Sequence, residues 1–335
     1  MTEKQYLLGV DGGGTKTLAV VADTDGNVLG FARTDPTNFQ IVGVTGAKRG
    51  LKDAVEQALA AADLVPDDIA HATYGISGAD RERDFDTVHS FVEPVNPAPQ
   101  YLLCNDTTIA LRAGTPDGVG IALIAGTGAN TIGFNRDYDQ KKVGGLGPFT
   151  GDYGSAGDLA QKAMVAAMKG YDGRGPKTVI EQMFCEALNV EEIVDIIEFS
   201  FIEHYRPISI REFAPLPFRA AKMGDKVALR LLTQTGKEVG HEAVTCAKAL
   251  FKKDEAFDII LAGSVFQKGE HPAMIDAMTA HIKRRFPNAN IHKLEAEPCV
   301  GALLWSYQLL RGKQPTKKLV KTLSTNLHRA MRTTA

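Results

Sequence analysis

Three consecutive glycines, Gly12 to Gly14, lie between two β-rich runs near the start of the chain, in GVDGGGTKT. Glycine loses more conformational freedom on folding than any other residue, so this triplet destabilises the fold unless bare backbone is needed there. The flanking runs, YLLGV and TLAVVAD, are typical of two strands joined by a tight turn. We therefore predict a hairpin whose turn backbone comes very close to a ligand.

The spacing excludes the two common phosphate loops. A Walker A loop requires lysine where Thr15 stands, and a dinucleotide fingerprint must open a helix, whereas a strand pattern begins here at Thr17. A plain glycine turn is one remaining interpretation. The other is an anion-binding nest, with Asp11 as an oxygen ligand for Mg²⁺. In that nest the phosphate oxygens meet donors from Gly12, Gly13, Gly14, Thr15, Lys16 and Thr17.

Two further glycine turns favour the nest. The segment Gly126-Thr127-Gly128 lies between two strand patterns, and Gly263-Ser264 ends the buried-type strand FDIILAG and opens a helix. A helix N-terminus attracts anions, because its first N–H groups have no partner within the helix. Three such turns at strand ends predict a nucleotide site.

The pattern of elements indicates two sheets. Up to about residue 112 the order is three strands, a helix from Thr45 to Ala62, a strand, a helix and a strand. From Gly151 to Lys253 the chain is mainly helical, with breaks at YDGRGP and HYRPIS. A strand, a helix, a short strand and the helix CVGALLWSYQLLR follow. No internal sequence repeat is visible, but two sheet-containing halves that face each other fit this order.

Composition narrows the classes of partner. A net charge of -2 gives no electrostatic reason to expect nucleic acid or an anionic membrane, and no run of 18 apolar residues occurs. The four cysteines are scattered, and nothing at the N-terminus is typical of a signal peptide. We expect a cytoplasmic protein with buried, reduced thiols. A homodimer stays an open alternative.

Five motifs, in order, resemble those of the N-acetylglucosamine kinase family: VDGGGTKT, CNDTTIA, LIAGTGAN, GGLGPFTGDYGSAG and LAGSVF. That family belongs with the BadF/BadG/BcrA/BcrD-type ATPases of the actin-like superfamily. The resemblance implies an α/β fold with two ribonuclease-H-like domains, mixed sheets flanked by helices, and an active site in the cleft between them. The domains would span residues 1–114 and 115–310, with the last helix able to pack back on the first, and a basic tail would span 311–335.

The resemblance also implies ATP and Mg²⁺ as cofactors. Gly12 to Thr17 and Gly126, Thr127 and Gly128 would contact phosphates, while Gly263 and Ser264 would lie beside adenosine. From the residues alone Asp106 reads as a helix N-cap, since Asp is a good cap; the resemblance implies that it is the catalytic base. The implied sugar contacts are Thr37, Asn38, Asp80, Gly145, Leu146, Gly147 and Asp152.

Some positions depart from the family pattern. The family often has tryptophan at Leu146 and glutamate at Tyr153, and Phe39 stands where a tryptophan can occur. Asn38 could also be a turn residue, and Asp80 an exposed turn aspartate. Asp152 would accept hydrogen bonds from two sugar hydroxyls.

The predicted function is ATP-dependent phosphorylation of a small-molecule amino sugar, at its 6-hydroxyl. Glucosamine or an N-acetylmuramic-acid-like sugar would fit nearly as well as N-acetylglucosamine. One alternative is an ATPase that activates a 2-hydroxyacyl-CoA dehydratase, but no cysteine flanks Gly126–Gly128 to ligate its cluster. The other is a non-catalytic sugar sensor, without room for a DNA-binding segment before YLLGV.

Overall fold

The first part of the chain folds around a mixed five-stranded sheet. The computed structural model describes residues 5–196 and 209–333. The sheet order is β3-β2-β1-β4-β5, with β1–β2 and β2–β3 antiparallel and β1–β4 and β4–β5 parallel. Its strands are β1 Tyr6–Gly12, β2 Thr17–Asp23, β3 Val28–Thr34, β4 Ile69–Ile76 and β5 Tyr101–Cys104. Its helices are α1 Phe39–Ala61, α2 Glu82–Val92 and α3 Asp106–Gly114.

A second sheet repeats the first in topology. Its order is β8-β7-β6-β9-β10, and the same two pairings are antiparallel and the same two parallel. Its strands are β6 Gly120–Ala125, β7 Ala129–Phe134, β8 Gln140–Val143, β9 Asp258–Ala262 and β10 Asn290–Lys293. The prediction of two sheet-containing halves is confirmed, although their sequences show no repeat.

Helices pack against the second sheet, and two more helices follow its last strand in the sequence. None of the helices in residues 5–196 and 209–333 is both long and apolar enough to cross a bilayer. The predicted break at HYRPIS falls mostly on residues 204–208, outside the described residues. The remaining helices are α4 Ala156–Tyr171, α5 Ile180–Leu188, α6 Pro215–Lys222, α7 Lys226–Leu250, α8 Ser264–Lys268, α9 Ala273–Arg285, α10 Pro298–Arg311 and α11 Lys317–Thr333.

The start of α1 differs from the prediction. The helix begins at Phe39 rather than Thr45, because the Asn38 side chain accepts a hydrogen bond from the Gln40 N–H (2.9 Å) and caps it early. Gly43 then adopts φ of 70°, which interrupts the regular helix. The apolar periodicity used for the prediction begins only after this kink, so the first turn was missed.

The last two helices pack against the first sheet. A Cβ at Gly9 of β1 would lie 2.9 Å from Leu303 Cγ of α10, so the helix lies directly on the strand. The hydroxyls of Ser306 on α10 and Thr73 on β4 are 2.8 Å apart in the buried interface. In α11 the leucines at positions 319, 323 and 327 are buried in the same cluster. Most of the predicted basic tail, from Lys317 to Thr333, is thus a helix whose apolar side is docked.

The cysteines largely follow the prediction. All four are free thiols; Cys104, Cys246 and Cys299 are buried, whereas Cys185 is only half-buried. Burial raises the pKa of the Cys246 thiol to about 12. The buried thiols behave as small apolar side chains.

Candidate active site

The three glycine turns meet at the edge between the two sheets. Thr15 Oγ1 in the first turn lies 2.9 Å from Thr127 Oγ1 in the second, although 112 residues separate them. A Cβ at Gly126 would lie 3.7 Å from the backbone nitrogen of Ser264 in the third turn. The structure therefore brings together the three turns that were predicted to contact a nucleotide.

The first turn is tight and supported from below. The Gly13 N–H donates to the Lys16 carbonyl (3.0 Å), and a Cβ at Gly12 would lie 2.2 Å from Thr37 Oγ1. The Thr17 hydroxyl is buried and donates to the backbone oxygen of Asp35 (2.7 Å). Thr17 therefore serves the packing of the turn in this conformation, and the exposed side chain of the turn is that of Thr15.

The second and third turns differ in how much space surrounds them. A Cβ at Gly128 would meet no atom within 4 Å, so this backbone faces open space. Gly263 has φ of 94°, and a Cβ there would lie 2.4 Å from the Ala125 carbonyl oxygen. Glycine at 263 is required by the packing of β9 against β6, whereas glycine at 128 leaves room that a bound ligand could fill.

Asp11 lies beside the first turn in an acidic environment. Burial first, and then the carboxylates of Asp106 and Glu297, raise its pKa to about 7 against the opposing charge of Lys16. Such a site favours a cation, and a carboxylate is the hard oxygen ligand that Mg²⁺ prefers. Asp11 therefore fits the predicted metal ligand. Glu297, directly before α10, was not among the predicted site residues, although it begins the segment EPCVGALLWSY.

Asp106 does not cap its helix. Asn105 is the cap, since its Oδ1 accepts the Thr107 N–H at 3.0 Å, and Asp106 is the first residue of α3. The interpretation of Asp106 as an N-cap is therefore wrong. The negative charge gains from the helix N-terminus, but the carboxylate oxygens are not committed to the cap.

The surroundings of Asp106 disfavour the charged form of its carboxyl group. Burial first, and then the charge of Asp80, raise its pKa to about 6. Hydrogen bonds from the Thr107 N–H and the Ser77 hydroxyl, and the charge of Lys142, oppose this shift. A carboxylate whose pKa lies just below neutrality is suited to general-base chemistry.

Asn38 and Ser77 extend from Asp106 toward α1. Asn38 Nδ2 donates to Ser77 Oγ (3.1 Å), and Ser77 in turn donates to Asp106. Asn38 is buried and holds both its capping bond and this contact. Thr37, by contrast, has no exposed surface and supports the first turn. Ser77 was missed by the sequence reasoning, although it precedes the turn at Gly78 after β4.

Asp152 organises the predicted sugar loop. Its Oδ2 accepts the N–H groups of Leu146 and Gly147, each at 2.6 Å, and the Thr150 hydroxyl at 3.3 Å. In this conformation the buried carboxylate oxygen is used by the loop itself, which was not expected. Direct contact with sugar hydroxyls stays a prediction. Leu146, at the family's tryptophan position, is 57% exposed.

Asn130 also lies at this loop and was not predicted. A Cβ at Gly145, where φ is 83°, would lie 2.5 Å from Asn130 Oδ1. That oxygen is buried and has no hydrogen-bond partner within the described residues. The sequence feature that could have indicated Asn130 as a site residue is its position two residues after Gly128. An unpaired buried acceptor is costly, so the site gains if a ligand donates to it.

Tyr153 is held by the helices behind the loop. Lys162 Nζ lies 4.1 Å from the centre of its ring, and this ammonium also pairs with Asp158 and Glu238, each at 3.0 Å. The aromatic ring that replaces the family's glutamate is thus placed over a cation.

The chain is similar to curated sugar kinases over most of its length. N-acetyl-D-glucosamine kinase of Dictyostelium discoideum is 30% identical over 315 residues, which cover 90% of this chain and 97% of that protein. N-acetylmuramic acid/N-acetylglucosamine kinase of Clostridium acetobutylicum is 25% identical over 300 residues, with coverage of 90% and 97%.

The solved structures bear on the fold. A proposed N-acetylglucosamine kinase from Chromobacterium violaceum has a TM-score of 0.71 at 23% identity, covering 90% of this chain and 98% of that one. A ROK family glucokinase from Streptomyces griseus, in complex with glucose and AMPPNP, has a TM-score of 0.56 at 17% identity, covering 93% and 100%. The predicted actin-like fold, with two mixed sheets flanked by helices, is confirmed. The profile of the BadF/BadG/BcrA/BcrD ATPase family matches residues 8–306, and the chain belongs to that family.

Proposed function

We propose that this protein is a cytoplasmic, ATP-dependent kinase that transfers the γ-phosphoryl group to the 6-hydroxyl of an amino sugar. One observation carries the proposal: Asp106, a carboxylate of raised pKa that does not cap its own helix, lies among polar groups and close to Asp11 beside the first glycine turn. The names of the relatives from Dictyostelium discoideum and Clostridium acetobutylicum support the coarser part of the proposal, a kinase that acts on an amino sugar.

The glycine turns would hold the nucleotide. Backbone of the first turn and the open side of Gly128 offer close approach to phosphate oxygens, and Lys16 adds a cation. Asp11 would hold Mg²⁺, which neutralises phosphate charge when bound. Gly263 and Ser264 adjoin the second turn and would lie on the adenosine side.

Asp106 would act on the acceptor. Its carboxylate orients the attacking hydroxyl and takes its proton, a role that commonly contributes about 10²- to 10⁴-fold in rate. Asn38, through its contact with Ser77, would orient the sugar beside this base. Gly145, Leu146 and Gly147 would form the opposite wall, in the shape that Asp152 imposes on the loop. Closure of the cleft would exclude water as a competing acceptor.

The test is coupled ADP release with Mg²⁺-ATP across five sugars: N-acetylglucosamine, glucosamine, N-acetylmuramic acid, N-acetylmannosamine and glucose. We expect turnover with an amino sugar, a loss of at least 100-fold in Asp106→Asn, and full activity in Asp137→Asn, an exposed aspartate. A 6-deoxy analogue of the best acceptor should not be phosphorylated.

Other outcomes would contradict the proposal in distinct ways. ATP hydrolysis that is independent of sugar would favour an activating ATPase. Sugar binding without ADP release, in a folded wild-type protein, would favour a sensor. Turnover of the 6-deoxy analogue would move the transfer to another hydroxyl and leave the kinase in place.

A further inference from the structure

Four polar side chains link the two sheets beside Asp106. Asp80 and Asn105 follow strands of the first sheet, and Asn130 and Lys142 lie on strands of the second. Lys142 forms an ion pair with Asp80 Oδ1, which also accepts Asn105 Nδ2 at 3.0 Å. Asn130 Nδ2 donates to Asn105 Oδ1 at 3.0 Å. We call these four residues the cross-sheet cluster.

The ion pair in this cluster is largely removed from water. The Asp80 side chain is 8% exposed and that of Lys142 is 19% exposed. When one partner of such a pair is removed, the other is left as an uncompensated buried charge, so its surroundings must rearrange. Lys142 is therefore needed for Asp80 to stay in its present position.

The cross-sheet cluster holds the N-cap residue of α3 in place. Asn105 is the cap of that helix and immediately precedes Asp106. Its amide donates to Asp80, while its oxygen accepts both the Thr107 N–H and Asn130. The backbone that carries the Asp106 carboxylate is thus fixed through Asn105 to the second sheet.

Lys142 also supports the opposite wall of the cleft. A Cβ at Gly145 would lie 2.8 Å from Lys142 Cε, so the glycine loop rests on the aliphatic part of this side chain. The adjacent Lys141 is exposed, and successive residues of a strand point to opposite faces of the sheet. One lysine of the pair therefore faces the cleft.

We propose that Lys142 is a positioning residue: through Asp80 and Asn105 it holds the first turn of α3, and so Asp106, in place against the predicted sugar loop. The inference rests on the proposed function in treating Asp106 as the base. Because the ion pair joins the two sheets, it adds to the apolar packing of α3 on the second sheet and ties the placement of the base to the spacing between the sheets.

The test compares Lys142→Met, Lys142→Arg and Asp80→Asn with the matched control Lys141→Met. Lys142→Met keeps the aliphatic stem and removes the charge. We expect about a 100-fold loss of kcat for the amino sugar in Lys142→Met, since small misplacements of a catalytic group have effects of this size. ATP affinity should be unchanged, Lys142→Arg should recover most of the loss, and Lys141→Met should match wild type.

The double variant Asp80→Asn/Lys142→Met separates a shared role from two independent ones. If both residues act through one ion pair, its loss of kcat should not exceed the larger single loss. Single losses that multiply in the double variant would overturn the proposal. So would a Lys142→Met enzyme with kcat within twofold of wild type.

Hydrogen–deuterium exchange provides a readout that does not depend on turnover. Lys142→Met, but not Lys141→Met, should increase exchange in residues 105–109 and 79–81. Unchanged exchange there would contradict the proposal. If the wild type phosphorylated no amino sugar, the proposed function would fail, and the exchange data would still decide whether Lys142 anchors this turn.

Discussion

Replacing Asp106 with asparagine should stabilise the protein while it removes the activity. The Asp106 carboxyl has a pKa of about 6 in the folded protein against 3.8 for an ordinary aspartate. Between these values the folded protein binds more protons than the unfolded chain, so stability falls as pH rises through this window. Above about pH 6 the whole cost of the buried charge is present.

The size of the effect follows from the shift. One pKa unit corresponds to about 1.4 kcal/mol, so a rise from 3.8 to about 6 corresponds to about 3 kcal/mol. Asparagine is uncharged, and its oxygen can still accept from Ser77. We therefore expect Asp106→Asn to unfold with a free energy about 3 kcal/mol higher than wild type at pH 7.5, and the difference to shrink towards zero near pH 4.

Urea denaturation followed by the fluorescence of Trp305 measures this difference at both pH values. Asn105→Ala is the contrasting variant, because it removes the actual cap and should lower stability by about 1 kcal/mol or more. An Asp106→Asn protein that is less stable than wild type at pH 7.5 would refute the reasoning. Turnover within tenfold of wild type would refute the role of Asp106 as base.

Four further variants test the packing and the nucleotide site. Gly263→Ala should cost more than about 2 kcal/mol in urea unfolding, because its Cβ would meet the Ala125 oxygen at 2.4 Å. Gly173→Ala, also at positive φ but with open space around it, should cost only about 1 kcal/mol; equal losses would contradict the steric argument. Gly128→Ala should keep the melting temperature and weaken binding of a non-hydrolysable ATP analogue about tenfold, measured by calorimetry; unchanged affinity would remove this turn from the site. Leu323→Ala should cost about 2–4 kcal/mol if α11 is docked, and a neutral result in urea unfolding would show that it is not.

The two sheet-containing halves were predictable from local patterns because their turns carry strong signals, whereas the actin-like fold was implied by the family resemblance. Gly12–Gly14 and Gly126–Gly128 mark two hairpins, and β-rich apolar runs mark the strands on either side. The sequence predicted two sheet-containing halves, but it did not predict that the two sheets share one strand order. Topology is fixed by strand pairing over long separations, such as β6 with β9, which no local pattern records.

The roles of individual side chains were harder to predict, because residues close together in the sequence can form the same hydrogen bonds. Asp106 and Asn105 are both good cap residues, and only backbone geometry shows that Asn105 holds the cap. Asp152 was expected to face a sugar, yet two N–H groups of its own loop reach it first. Lys142 belongs to none of the motifs. Its partner Asp80 lies 62 residues away in the sequence, so no local pattern indicates the ion pair.

Several polar contacts between the two halves lie in the candidate site, beside the apolar packing of α3 against the second sheet. Thr15 bonds Thr127, Asp80 pairs with Lys142, and Asn130 bonds Asn105. The first sheet contributes the carboxylates of Asp11 and Asp106, and the second contributes the second and third glycine turns. Neither half holds all the residues of the proposed site, so under the proposed function ATP and the sugar would each contact both halves. A ligand that favours one spacing of the sheets would then also favour one placement of Asp106, which would couple acceptor binding to the position of the base.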